Sequence, residues 1–207
     1  CCIRISSNDP GKFTGNVYVT GRWPHEGVDF TGKRVAVIGT GSSGIQSIPH
    51  IAEQAKELVV FQRTPNFSMP AFNGPPPQDR VERLKADRAT YEHEARYSGT
   101  GVPLEDSTVS ALSVTQEEAF AMLEAAWQKG ELLSLGNTFM DSAINRKAND
   151  VVAEFMRMKV RSVVKDPEVA ELLSPYKHGY GTKRPCMDTG YFETFNKPHV
   201  RLVDLNA

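Results

Sequence analysis

A glycine-rich turn between a strand-like run and a helix-like run is the feature that most clearly indicates chemistry. The run Arg34–Ile38 is mainly apolar, residues 45–56 carry apolar side chains at helical spacing, and between them stand Gly39, Thr40, Gly41, Ser42, Ser43 and Gly44. In such a turn the first glycine permits the tight bend, the second leaves room for a pyrophosphate, and the third lets helix and strand pack closely. The first N–H groups of the helix bind phosphate oxygens. We therefore predict a dinucleotide site here; the alternative is a purely structural glycine turn.

The end of the next strand-like run, residues 58–61, indicates which dinucleotide is bound. About 20 residues after the last glycine of the turn, where a carboxylate would bind the ribose 2′-hydroxyl of NAD, the sequence has Arg63 between Gln62 and Thr64. A guanidinium binds a 2′-phosphate through paired, charge-assisted hydrogen bonds. We therefore predict NADP rather than NAD; the alternative is a solvated arginine at a strand end.

Other residue types that could do chemistry are less informative. The basic pair Lys183 and Arg184 precedes Pro185, and its spacing alone leaves open a surface pair or a site. No metal site is predicted, because no ligand spacing relates the five histidines, His25, His50, His93, His178 and His199. The cysteines support neither a disulfide framework nor a zinc site, since they are only Cys1, Cys2 and Cys186.

The composition excludes several classes of partner. The 207 residues include 24 Lys and Arg and 25 Asp and Glu, which gives a formal net charge of −1. A chain without a basic field is not expected to bind nucleic acid or an anionic membrane. Hydrophobic residues make up 40% of the chain, and no run of about 18 apolar residues could span a bilayer. We expect a cytoplasmic protein in a reducing compartment.

The elements that must position these residues form an α/β pattern with a helical interruption. Arg34–Ile38 is expected to be a strand buried on both faces, and Pro49 is expected to bend or break the helix that follows the glycine turn. Residues 13–20 are β-like, the proline-rich residues 64–79 indicate a linker, and four later segments indicate helices: 79–96, 115–128, 146–164 and 167–173.

We predict a linking segment at 1–30, a nucleotide-binding domain at 31–70 and 176–207, and a helical insertion at 71–175. Because the chain lacks an initial Met and ends just after a strand-like stretch, we expect an internal piece of a longer protein.

A family resemblance adds to this interpretation. Residues 13–24, FTGNVYVTGRWP, resemble the fingerprint FxGxxxHxxxW(P/D) of Baeyer–Villiger monooxygenases, and its defined positions are held by Phe13, Gly15, Val19, Trp23 and Pro24. The similarity continues through residues 25–30, 37–46, 60–65, 181–185 and 188–196. It covers nearly the whole chain and is weakest in residues 1–12 and in the helical middle.

The resemblance implies a fold and an activity. The family's enzymes use FAD and NADPH to insert one oxygen atom of O₂ beside a ketone carbonyl, giving an ester or a lactone. The implied fold is a Rossmann-like NADP-binding domain of a two-dinucleotide-binding flavoprotein, interrupted by a helical insertion. By resemblance, the glycine turn and Gln46 bind NADP, Arg63 and Thr64 bind its 2′-phosphate with help from Lys183, and Arg184 is the active-site arginine. A fixed cation beside the flavin stabilises developing negative charge.

Two departures from the family pattern limit what the resemblance implies. Valine at position 19 replaces the fingerprint histidine and can neither titrate nor donate a hydrogen bond; a diverged subfamily and a sequence error are the alternatives. The FAD-binding glycine motif is missing, so we expect the main FAD site outside this chain and no activity of the chain alone. The competing hypotheses are an N- or S-oxygenating flavin monooxygenase, disfavoured by Trp23 and Pro24, and a non-catalytic NADP-binding module, disfavoured by Arg184.

Overall fold

A three-stranded parallel sheet organises the α/β part of the fold. The computed structural model describes residues 13–99, 101–103, 107–130 and 133–206. The sheet has the order β1-β2-β5, with β1 at Arg34–Ile38, β2 at Glu57–Gln62 and β5 at Val200–Asp204. Because all three strands are parallel, their carboxyl ends lie at one edge of the sheet, where the glycine turn begins. The local patterns along residues 31–63 therefore fold into the expected α/β arrangement.

Helix α1, at Ser42–Gln54, packs on one face of this sheet. Its apolar stripe is buried as predicted and consists of Ile45, Ile48, Ile51, Ala52 and the capping residue Ala55. The predicted interruption at Pro49 is absent, since a single helix runs through that position. Pro49 is itself buried against the core, and this apolar contact offsets the backbone hydrogen bond that proline cannot make.

The prediction that β1 is buried on both faces was wrong. Val35 and Val37 pack against the core, whereas Ala36 is exposed and Ile38 retains 41% of its accessible surface. The reason is that, among the described residues, the core packs on only one face of β1, the face of Val35 and Val37. The central strand β2 is better covered, and Leu58 and Val60 are fully buried.

Five helices follow β2 in the middle of the chain: α2 (Gln78–Ala86), α3 (Arg88–Tyr97), α4 (Gln116–Gln128), α5 (Arg146–Val163) and α6 (Pro167–Leu173). Helix α4 begins with a capping box, in which the Thr115 side chain and Glu118 are bonded reciprocally. A second core forms around α4 and α5, and it buries Leu123, Trp127 and Phe155. The end of α5 and helix α6 pack instead against the core that lies around α1 and the three-stranded sheet. Their contacts are made by Val160, Val164, Ala170 and Leu173.

A second, two-stranded parallel sheet was not predicted. Strand β3 at Ser68–Pro70 pairs with β4 at Cys186–Asp188, so residues 64–79 are not simply the linker that their prolines indicated. A short helix α7, Tyr191–Thr194, follows β4. The sequence gives little sign of β3 because the strand is three residues long and its partner lies far away in the chain.

The β-like interpretation of residues 13–20 was also wrong. The described residues 13–19 form no strand, and a turn of 3₁₀-helix occupies Thr20–Arg22. Residues 1–12, with Cys1, Cys2 and the start of the predicted linking segment, lie outside the described residues. In the described part of the chain, no helix is long and apolar enough to cross a membrane.

Candidate functional site

The glycine turn has the backbone geometry that close approach to a ligand requires. Gly39 has φ of +101°, which is strained for other residues, and its N–H donates to the Phe61 carbonyl oxygen at 2.9 Å. A Cβ on Gly44 would lie 2.3 Å from the Gly39 carbonyl oxygen, whereas a Cβ on Gly41 would meet nothing within 4 Å. The turn is therefore closed on its protein side and open beside Gly41.

The amino end of α1 faces this open space without a side-chain cap. Gly41 precedes the helix, no side chain of the described residues caps the backbone of the first turn, and no acidic residue lies in that turn. The first N–H groups of a helix carry partial positive charge and lack partners within the helix. Ser43 and Gln46 are exposed beside them. This arrangement suits an anionic group such as a pyrophosphate.

Thr40 ties the glycine turn to the end of β2. Its side chain is buried, and its Oγ1 lies 3.2 Å from the Thr64 carbonyl oxygen and 3.3 Å from Oε1 of Gln62. Gln62 in turn donates from Nε2 to the Leu172 carbonyl oxygen at 2.7 Å. Arg63 lies between these anchored neighbours with an exposed side chain, so its backbone is fixed while its guanidinium remains in solvent.

The β3–β4 sheet brings the second basic segment to the same region. The Cys186 N–H donates to the Phe67 carbonyl oxygen at 2.8 Å, and the Cys186 thiol lies 3.3 Å from Oγ of Ser42 at the start of α1. Lys183 and Arg184 directly precede this contact and are exposed. The basic pair whose role its spacing left open therefore lies two to three residues before a residue that contacts the start of α1.

The charges of these basic residues are not neutralised within the described part of the chain. No ion pair is formed there by Arg63, Lys183 or Arg184. Burial lowers the pKa of His178, and the positive charge of Lys183 lowers it further. Exposed cations without an ion pair among the described residues attract an anionic ligand, and Arg63 directly follows the carboxyl end of β2.

A buried carboxyl group, which sequence reasoning missed, lies beneath this segment. Asp188 accepts hydrogen bonds from Oγ of Ser68 at 2.5 Å and from the Tyr191 N–H at 3.1 Å. Burial raises the pKa of Asp188 despite these two hydrogen bonds. Asn66 and Cys186 were also missed as site residues, although each follows closely after a basic residue that was identified. No local pattern shows that their two segments pair.

The fingerprint residues reach the site only in part. Trp23 lines a cavity of about 430 Å³ together with Ser43, Gln46 and His50 of α1, and its ring lies 6.2 Å from that of the buried Phe30. Phe13 and Gly15 are exposed, Pro24 is half-buried, and half-buried Val19 caps the 3₁₀ turn. Among the described residues, no group of three or more His, Cys, Asp or Glu side chains could hold a metal ion.

Comparison with known proteins relates this geometry to a family. No family model matches the chain. The chain is 41% identical over 197 residues to cyclohexanone 1,2-monooxygenase of Acinetobacter sp, covering 95% of this chain and 36% of that protein. It is 38% identical over 195 residues to a phenazine N-monooxygenase of Lysobacter antibioticus, covering 94% of this chain and 36% of that protein. A solved structure, oxidized steroid monooxygenase bound to NADP, matches with a TM-score of 0.87 and 50% identity over 94% of this chain and 37% of that chain.

The similarity extends through both the α/β part and the helical part of the chain. The chain spans little more than a third of the length of the curated relatives that it matches. The relatives include cyclohexanone and cyclopentanone 1,2-monooxygenases and a protein named Baeyer-Villiger monooxygenase. By sequence and by fold, the chain is homologous to the Baeyer–Villiger monooxygenases, and it corresponds to about a third of the length of each of these relatives.

Proposed function

We propose that this chain is the NADPH-binding part of an FAD- and NADPH-dependent Baeyer–Villiger monooxygenase. The whole enzyme would insert one oxygen atom of O₂ beside a ketone carbonyl and release an ester or a lactone. The observation that carries the proposal is the junction of the glycine turn with the end of β2, where Oγ1 of Thr40 lies 3.2 Å from the Thr64 carbonyl oxygen beside the exposed Arg63. The junction supports the proposal because the glycine turn, which would bind phosphate, lies beside a guanidinium that forms no ion pair among the described residues.

Each part of the candidate site has a role in holding NADPH, which supplies a hydride when it is bound. The N–H groups of Ser42, Ser43 and Gly44 would bind the pyrophosphate, with Gln46 beside them. The 2′-phosphate of NADPH would lie between two segments of the chain. Arg63 and Thr64 would bind it from one segment, and Lys183 would bind it from the other. The open side of Gly41 and the closed side of Gly44 fit this arrangement.

Arg184 would stabilise negative charge that develops at the reacting centre, because a fixed cation in a site that excludes water acts strongly on such charge. FAD would be held mainly by protein outside residues 1–207. We propose the same domain division as the sequence indicates, with residues 31–70 and 176–207 binding NADPH and residues 71–175 inserted between them.

Comparative titration of NADPH and NADH into the chain tests this proposal. We expect tighter binding of NADPH, and we expect Arg63→Ala to weaken NADPH binding about tenfold or more while NADH binding stays unchanged. Arg88→Ala is the matched control, because Arg88 is an exposed arginine whose guanidinium is paired with Glu92. Equal affinities for the two dinucleotides, or no effect of Arg63→Ala, would overturn the assignment.

N-oxygenation is the second candidate reaction, and the specific observation in its favour is the match to a phenazine N-monooxygenase. Trp23 followed by Pro24 favours the Baeyer–Villiger reaction instead, because these residues resemble the Baeyer–Villiger fingerprint, whereas the fingerprint of N- and S-oxygenating flavin monooxygenases usually ends in Phe or Tyr. We expect the chain alone to form no ester from a ketone when FAD and NADPH are added. Ester formation by the chain alone would show that the whole active site lies within it.

A further inference from the structure

The side chain of Asn66 joins the two basic segments of the candidate site. Its Nδ2 donates to the Arg184 carbonyl oxygen at 3.2 Å and lies 3.1 Å from Sγ of Cys186. Its Oδ1 accepts the Phe67 N–H at 3.0 Å. The orientation of the amide is therefore fixed at both ends, and a single side chain connects the segment after β2 with the segment before β4.

Backbone contacts around Asn66 make this connection stiff. The Cys186 N–H donates to the Phe67 carbonyl oxygen at 2.8 Å, and Pro185 restricts the backbone of Arg184 to extended conformations. On its other side, the Cys186 thiol contacts Oγ of Ser42 at 3.3 Å. The peptide that follows Lys183 and Arg184 is thus held in a defined place relative to the first residue of α1.

We propose that Asn66 is a positioning residue that sets the selectivity of this site for a 2′-phosphorylated dinucleotide. It acts through Lys183, whose long side chain reaches a 2′-phosphate reliably only if its backbone is held. The inference rests on the proposed function and adds to it a residue that touches no ligand. An asparagine suits this role because it offers a donor to the Arg184 carbonyl oxygen and an acceptor to the Phe67 N–H at the same time.

The test is a double-mutant cycle between Asn66→Ala and Lys183→Ala, with NADPH and NADH titrated into each variant of the full chain. We expect Asn66→Ala to weaken NADPH binding about tenfold and to leave NADH binding unchanged. In the Lys183→Ala background, we expect Asn66→Ala to have no further effect on NADPH binding. An effect limited to NADPH, which carries the 2′-phosphate, distinguishes positioning from general destabilisation, because destabilisation would weaken the binding of NADPH and NADH alike.

Asn73→Ala is the matched control. Asn73 donates from Nδ2 to Oγ1 of Thr189 at 3.1 Å, so it bridges the same two stretches of chain at a point away from Lys183. We expect this variant to bind both dinucleotides as the original chain does. Equal losses of NADPH and NADH binding in Asn66→Ala, or additive effects in the cycle, would overturn the positioning role.

A measurement on the unaltered chain covers the case in which Asn66→Ala does not fold. In NMR spectra we expect NADPH to shift the side-chain amide resonances of Asn66 and NADH to leave them in place. Equal shifts with both dinucleotides would overturn the inference. If the chain selects NADPH through Arg63 but Asn66 has no influence, the proposed function stands and only the positioning role fails; if the unaltered chain does not prefer NADPH, the proposed function itself fails.

Discussion

Gly44 and Gly39 approach each other so closely that no side chain fits between them: a Cβ on Gly44 would lie 2.3 Å from the Gly39 carbonyl oxygen and 3.2 Å from its carbonyl carbon. The atoms that would be displaced belong to the backbone of the turn, which is held by the hydrogen bond from the Gly39 N–H to the Phe61 carbonyl oxygen. The start of α1 therefore packs on the end of β1 only because residue 44 is glycine.

Gly44→Ala should consequently destabilise the fold. We expect the free energy of unfolding to fall by about 1–3 kcal/mol, because the new methyl group forces the turn away from α1. Urea unfolding of the variant and the original chain measures this difference. Unchanged stability would mean that the turn relaxes freely, and the close approach would then have no structural consequence.

Gly41→Ala should act on binding and leave the fold intact. A Cβ at position 41 meets nothing within 4 Å, and the backbone there has φ of −90° and ψ of −176°, which alanine adopts readily. We expect unfolding free energy to change by no more than about 0.5 kcal/mol and NADPH affinity to fall about tenfold or more, since the methyl group would occupy the space of the pyrophosphate. Calorimetric titration checks the second expectation, and full retention of affinity would show that the phosphates do not pass Gly41.

Asp188→Asn should change how stability depends on pH. Because burial raises the pKa of Asp188 above the ordinary value of 3.8, the folded chain holds this proton more tightly than the unfolded chain. The stability from the protonated carboxyl is therefore complete below pH 3.8 and is lost as the pH rises through the raised pKa. Asparagine does not ionise, and it can still accept from the Tyr191 N–H and donate to Ser68.

We expect the stability advantage of Asp188→Asn over the original chain to be smallest below pH 3.8 and to increase as the pH rises toward neutral. Urea unfolding at a series of pH values measures this advantage. Asp150→Asn, at an exposed position of α5, serves as the control and should show no such increase. A stability difference that stays constant with pH would contradict the role of burial.

Local signals in the sequence accounted for much of the fold. The glycine turn and the apolar stripe of α1 were predicted because each depends on residues within a few positions of one another. The errors concern contacts that are not local. Whether β1 is covered on one face or two depends on neighbours elsewhere in the chain, and the pairing of β3 with β4 joins segments more than 100 residues apart.

The sequence by itself determined which residues are candidates for the chemistry: a turn of three glycines, Arg63 and Thr64 after the second strand and, through the family resemblance, the basic pair Lys183 and Arg184. Residue type and motif are enough to identify candidates, because conformational freedom, charge and hydrogen-bonding capacity are properties of each side chain. Only the tertiary structure decided that these segments meet, through the contact of Thr40 with Thr64 and that of Asn66 with Arg184. The physical reason is that a hydrogen bond between distant segments leaves no periodic trace in the sequence, since its geometry is set by the packing of the whole sheet.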